Sequence, residues 1–273
     1  MANSAAATID AIEETCTRID GVCSRLDETG WHRPTALPAW DVHDVVAHLG
    51  SLEAMFLGRE EPAHQALATG HVRNPLGALN ENLVDRRREW SGAQVLEEFR
   101  ETTVLRIEQL RGLDEDELDR EILALSGRMM PQRDFLGVRL WDFFIHELDI
   151  CAALELPPPL DTVAGRRVLD EMLRLVPRAA AKAGASDGAV VRLDISEPLR
   201  RSLTVRVEGG KGNTIEPTTA GEVTLHLRAS PAAFLSVGAG RRDPTQAVTA
   251  GEIEVAGDPE LAGAILTRVN VVP

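Results

Sequence analysis

The hydrophobic period of this chain is the 3.6-residue repeat of helices throughout its first half, and the two-residue repeat of strands enters only in its second. The change comes beyond Pro157-Pro158-Pro159, a run that cannot continue a helix and that stiffens whatever it joins. The pattern predicts two domains: residues 1–156, helical, and residues 157–273, a small α+β domain with a mainly antiparallel sheet. A length of 273 residues is enough for two cores.

In the first domain Ile9, Ile12, Cys16, Ile19, Val22, Cys23 and Leu26 form one amphipathic stripe. A loop with Trp31, Pro34, Pro38 and Trp40 follows. Asp41 then caps a helix from Val42 to Leu57 whose apolar positions are Val45, Val46, Leu49, Leu52 and Phe56. Residues 58–77 read as a long irregular loop, and residues 79–90 as a short helix. Ser91-Gly-Ala-Gln94 has the form of a capping box for a helix to Leu113, and a further helix runs from Phe135 to Leu154. Long helices of this kind suggest a four-helix bundle with extra short helices.

In the second domain a bridging helix over residues 161–183 comes first. Val190–Ile195, Leu203–Val207 and Val223–Leu227 alternate as half-buried strands. Residues 231–237 fit a helix, 252–255 a strand and 259–266 a terminal helix. Gly209-Gly-Lys-Gly212 follows a strand but precedes no helix, so it reads as a turn rather than a phosphate loop.

The charge balance, 29 basic against 43 acidic residues for a net −14, argues against a nucleic-acid partner, which needs clustered Lys and Arg. No stretch approaches the ~20 apolar residues of a membrane span. The start lacks the charged-then-apolar pattern of a secretory leader. Three cysteines, Cys16, Cys23 and Cys151, form no Cys-x-x-Cys pair, and a reducing cytoplasm is the expected compartment. Cys16 and Cys23 lie on the apolar stripe and read as core residues.

The first chemical signal is Asp142-Phe-Phe-Ile-His146. A spacing of four puts both side chains on one helix face, where both can reach a single ion. Arg139 and Asp149 extend the polar stripe by one step at each end. The competing reading is an exposed face carrying an Asp–His ion pair. His48 bears on the choice, because it shares a face with Val45, Leu52 and Phe56 and should point inward. Two imidazoles and one carboxylate with open positions form a ligand set expected of catalytic zinc. Each ligating histidine would need an acceptor on its other ring nitrogen, with Asp149 or Asp44 as candidates. His32, His43, His64 and His226 read as surface or packing residues.

The segment Trp31-His-Arg-Pro-Thr-Ala-Leu-Pro-Ala-Trp-Asp-Val-His-Asp-Val-Val-Ala-His48-Leu resembles the opening segment of the mycothiol-dependent maleylpyruvate isomerase family. Arg139-Leu-Trp-Asp142-Phe-Phe-Ile-His146-Glu-Leu-Asp149-Ile is similar to that family's Arg-x-x-Glu-x-x-x-His-x-x-Asp-Leu helix. Phe234-Leu-Ser-Val-Gly-Ala-Gly-Arg241 and Ile253-Glu-Val-Ala-Gly-Asp258 resemble its sterol-carrier-like C-terminal domain. The resemblance implies a DinB-like four-helix metal-binding domain joined to a sterol-carrier-like domain. It also implies zinc on His48, Asp142 and His146, and mycothiol as the thiol cosubstrate. It further implies an arginine of the second domain at the active site, for which Arg241 is the match and Arg242 its close rival. Asp142 departs from the pattern, standing where glutamate is usual and one methylene shorter.

The expected chemistry is that of a thiol deprotonated at the metal, attacking an electrophilic carbon of a small substrate. Isomerisation follows if the adduct rotates and expels the thiol; S-transfer follows if the adduct is the product. Arg139 or Arg241 would hold a substrate carboxylate bidentately. The rival readings are a hydrolase using metal-bound water and a non-catalytic lipid or small-molecule carrier. A monomer or small homo-oligomer is expected.

Overall fold

In the computed structural model, which describes residues 4–67, 70–217 and 221–270, the chain forms two units, Met1–Pro158 and Pro159–Pro273. The first unit opens with α1 (Ala5–Cys23), whose N-cap Ser4 accepts from Ala7 N–H, and a single-turn α2 (Glu28–Trp31). Helix α3 (Val42–Phe56) starts on Asp41, whose side chain accepts from the Asp44 N–H. Helix α4 (Pro75–Asp85) starts inside the stretch read as loop, because Asn74 caps it and Pro75 occupies its first turn. Helix α5 (Gly92–Arg111) has the expected Ser91/Gln94 capping box.

Between α5 and the last helix lie α6 (Glu115–Asp119) and a hairpin of β1 (Glu121–Leu123) and β2 (Met129–Pro131). These pieces are too short to leave a periodic signal. Helix α7 (Gln132–Ala153) begins straight from β2 without a side-chain cap, three residues earlier than its pattern suggests. The long helices α1, α3, α5 and α7 pack together as the bundle.

Helix α3 is the bundle's innermost member, buried without a break from Val42 to Ala54. A helix buried all round has no solvent face on which to leave a charge, so Asp44, His48 and Glu53 must all be satisfied from within. It lies close against α5 at Gly50. A Cβ there would lie 3.2 Å from the backbone N and Cα of Phe99 on α5, and Thr102 Oγ1 donates to the Gly50 carbonyl at 3.2 Å. Gly50→Ala therefore forces two backbones apart, and equilibrium denaturation should show a loss of about 1–3 kcal/mol. Unchanged stability would mean that the two helices separate freely.

The second unit corrects several expectations. The bridging helix is two helices, α8 (Val163–Leu173) and α9 (Val176–Lys182). Pro177 causes the break, since its ring clashes with the carbonyl four residues back, that of Leu173. Strands β3 (Val190–Ile195), β4 (Arg201–Glu208), β5 (Lys211–Thr214), β6 (Leu225–Ala229) and β7 (Ile253–Ala256) form one sheet in the order β5-β4-β3-β6-β7. Only the β3–β6 pair is parallel. The glycine-rich turn is shorter than expected. Gly209 and Gly210, at φ 56° and 73°, make the turn, and Lys211-Gly212 already belongs to β5. Strand β6 starts at Leu225 rather than Val223.

Helices α10 (Pro231–Gly238), α11 (Pro244–Thr249) and α12 (Pro259–Val269) share one start signal, a Ser or Asp cap followed by proline. Helix α9 packs on β4 and β5, and α12 packs on α9, α10 and α11. Among the described residues, no helix is long and apolar enough to cross a membrane.

Candidate metal centre

Helices α3 and α7 bring His48, Asp142 and His146 together. Each offers a ligand atom, and these atoms all lie within 4.8 Å of one another. The Asp142 carboxylate sits between the two imidazoles, Oδ2 at 3.5 Å from His48 Nε2 and Oδ1 at 3.5 Å from His146 Nε2. Both histidines are buried, whereas the Asp142 side chain keeps 20% of its surface exposed, so the cluster opens on the aspartate side. The inward phase read for His48 is the phase observed.

The donor chemistry fits a divalent cation. His146 Nδ1 lies 3.0 Å from Asp149 Oδ2, which assigns the proton to Nδ1 and leaves the Nε2 lone pair facing Asp142. Burial lowers the His48 pKa, outweighing its contact with Asp142, and a neutral imidazole is the form that ligates. His48 Nδ1 is buried and has no hydrogen-bond partner among the described residues. Asp44, the other acceptor considered for this role, is engaged by Arg88 at 3.3 and 3.4 Å.

Arg139 belongs to this centre as a brace. Its Nη1 donates to Asp142 Oδ2 at 2.5 Å, while Nε and Nη2 donate to Glu53 Oε1 at 2.9 and 2.6 Å. The guanidinium lies 5.3 Å from the Phe56 ring centroid and 4.9 Å from that of Phe143. Glu53 Oε2 faces Arg106 Nε at 3.5 Å. A buried string of alternating charge, Arg106–Glu53–Arg139–Asp142, therefore ends at the candidate ligand. Burial works against ionisation of Asp142, yet Arg139 and then the two histidines hold its carboxyl well below the usual range.

Arg241 lies in the second unit, after α10, and its Nη1 donates to the Ala239 carbonyl at 2.8 Å; Arg242 pairs with Glu252 at 2.7 Å.

Three residues around the centre went unread in the sequence: Glu53, Glu81 and the ring contacts of Trp40. The Trp40 ring centroid lies 5.1 Å from that of His48 and 6.4 Å from that of His146. Glu53 had a signal, being the one charge in the otherwise apolar run from Val45 to Phe56 apart from His48. Glu81 had none that periodicity could reveal.

Of the remaining histidines, His43 is packed in the core with Nε2 at 2.9 Å from the Trp90 carbonyl. His32, His64 and His226 pair with Asp41, Asp85 and Asp194. Asp41, His43 and Asp44 also stand close enough to share an ion. Their polar atoms are committed to the α3 cap, to Trp90 and to Arg88.

No cysteine belongs to this cluster, and all three are buried and free. Burial pushes the Cys16 thiol well up, Cys23 to about 12 and Cys151 to about 11. At about pH 8 the native protein should resist iodoacetamide at all three, because only the thiolate reacts, and the unfolded chain should take three labels. Native labelling as fast as that of the unfolded chain would contradict this.

The family described as the mycothiol maleylpyruvate isomerase N-terminal domain matches residues 12–151, which include all three candidate ligands. The SCP-2 sterol transfer family matches residues 169–266. Solved structures with the same fold include the mycothiol-dependent maleylpyruvate isomerase, at 16% identity and a TM-score of 0.53 over 88% of this chain and 90% of that one. A histidine-to-alanine mutant of that isomerase aligns over the same shares with a TM-score of 0.55 at 16% identity. No curated protein matches the chain.

Proposed function

This chain belongs to the mycothiol maleylpyruvate isomerase N-terminal domain family, and on that premise we propose that it is a metal- and thiol-dependent enzyme, an isomerase or S-transferase acting on a small electrophile. The observation that carries this reading is the convergence of His48, Asp142 and His146, their ligand atoms within 4.8 Å of one another. Mycothiol is the proposed thiol, and zinc the proposed ion. A zinc ion bound there supplies the Lewis acidity that keeps a thiol ionised near neutral pH.

The chain's own residues have distinct parts in this reading. His48, Asp142 and His146 hold the ion, and Asp149 fixes the His146 ring so that Nε2 is the ligating atom. Arg139 holds Asp142 by Oδ2 and leaves Oδ1 toward His146. Bonded to Glu53 through Nε and Nη2 and to Asp142 through Nη1, Arg139 is proposed to act on the ligand, while its remaining N–H groups keep it a candidate for a substrate carboxylate. The resemblance offers Arg241 as a further anchor for a substrate carboxylate, and on that reading Arg241→Ala should raise KM more than it lowers kcat.

The test has two parts. Metal analysis of the purified chain should find roughly one ion per chain, lost in His48→Ala. Consumption of an electrophilic substrate should require a low-molecular-weight thiol. A chain without metal, indifferent to His48→Ala, would overturn the reading. Turnover equally fast without thiol would place the enzyme among metal-dependent hydrolases instead.

A further inference from the structure

We propose that Glu81 is a positioning residue of this centre: it fixes Trp40 as the aromatic wall that holds the His48 and His146 rings in place. The consequence for metal rests on the function proposed above, whereas the geometry stands without it.

Trp40 reaches both histidines, with centroids 5.1 and 6.4 Å away and planes tilted by 46° and 31°. The histidine rings in turn meet edge to face at 4.9 Å. All three rings thus form one contact set, and rotation of the indole would remove its contact with both imidazoles. His48 has the greater need of such support, since its Nδ1 has no polar partner among the described residues and Asp149 serves His146.

Both ends of Trp40 are tied. Its backbone carbonyl accepts from Thr35 N–H at 3.1 Å and from Thr35 Oγ1 at 2.7 Å, and its N–H donates to the Leu37 carbonyl at 3.2 Å. The turn is closed by the Pro34–Asp41 bridge and passes through Ala39 at φ 67°. An alanine in the left-handed region is strained backbone, which persists where its surroundings over-determine it. At the other end the indole Nε1–H donates to Glu81 Oε2 at 2.9 Å.

Glu81 is suited to hold that donor. It is fully buried, 0% exposed, and its carboxylate also accepts from His71 Nε2 at 2.8 Å and Arg88 Nη1 at 2.8 Å. Arg88 goes on to Asp44, one helical turn before His48 on α3, and to Asp85 at 2.7 Å. The anchor of Trp40 is therefore tied back to the helix that carries His48. A carboxylate so enclosed offers the indole a charge-assisted bond in one direction only.

The test begins with the full chain free of metal, observed by proton NMR. The Trp40 indole N–H signal is assigned by its loss in Trp40→Phe, and the ring protons of His48 and His146 by His48→Gln and His146→Gln. In Glu81→Gln the indole signal should move upfield and exchange faster, and the ring signals of His48 and His146 should shift with it. The His226 signal, from the other unit, should stay. Titration with Co2+ should then show binding weakened about tenfold in Glu81→Gln and in Trp40→Phe, the size of a typical outer-partner effect. The double variant should be no weaker than either single one.

An indole signal that moves while the two histidine signals and Co2+ affinity stay fixed would overturn the proposal and reduce Glu81 to docking α4. Additive losses in the double variant would do the same. Should Glu81→Gln fail to fold, Trp40→Phe, which keeps an aromatic ring but removes the donor and the second ring of the indole, carries the comparison alone. If Co2+ binds no form of the chain, the metal reading fails, and the metal-free histidine signals still decide whether Glu81 positions the rings.

Discussion

Asp142→Asn is expected to lower the affinity for Zn2+ or Co2+ by more than about a hundredfold, beyond the 10–100-fold typical of losing an outer partner of a metal ligand. The substitution keeps the side chain's shape and removes the charge that both His48 Nε2 and His146 Nε2 face at 3.5 Å. A neutral amide is a poor ligand for a divalent ion, and the two imidazoles alone leave the site one donor short of the three that catalytic zinc takes from protein. Asp142→Glu supplies the longer carboxylate usual in the resembling motif and should keep binding within about tenfold of the parent. It has room on the side where the parent side chain is 20% exposed. Competition against a chelator of known affinity reads both variants. Equal affinity in the parent and Asp142→Asn would remove Asp142 from the ligand set.

The largest stability effect is expected at Glu53. Glu53→Ala withdraws the anion between Arg139 and Arg106 and leaves two mostly buried guanidinium groups with Asp142 as their remaining partner in the string. Breaking a buried pair by removing one partner costs about 3–5 kcal/mol, which lowers Tm by about 10 °C in a unit of this size. All four tryptophans, Trp31, Trp40, Trp90 and Trp141, lie in the helical unit, so their emission follows the unfolding of that unit alone. Glu53→Gln keeps an acceptor for Arg139 and should cost less. A loss below about 1 kcal/mol for Glu53→Ala, the range of exposed ion pairs, would show that water already screens the string. Metal affinity supplies a second readout, since an Arg139 released from Glu53 competes more strongly for Asp142.

The parts of this centre that were legible in the sequence were those carried by single helices. The four-residue spacing of Asp142 and His146, the inward phase of His48 and the position of Asp149 one turn beyond His146 all follow from 3.6-residue geometry, and the folded chain keeps them. The parts that were not legible depend on partners far apart in sequence. Glu81 meets Trp40 across 41 residues, on a helix that also starts four residues before its apolar pattern does, on an Asn-Pro signal inside a stretch taken for loop. Glu53 belongs to a helix enclosed on every side, and an amphipathic reading expects one polar face there. In the second unit the strand alternation was legible, while Pro177 divided a helix whose apolar pattern runs on regardless.

The burial of the three thiols has a consequence wherever small disulfides accumulate. A mixed disulfide forms when a thiolate meets a disulfide sulfur, and this chain presents neither an exposed thiol nor an easily ionised one. When the small-thiol pool turns oxidising, the folded protein should therefore gain no covalent adduct. On the function proposed above, its turnover would fall as the reduced thiol runs short and recover as the pool is restored. Through its cysteines, then, an oxidising pool would leave no mark on the protein.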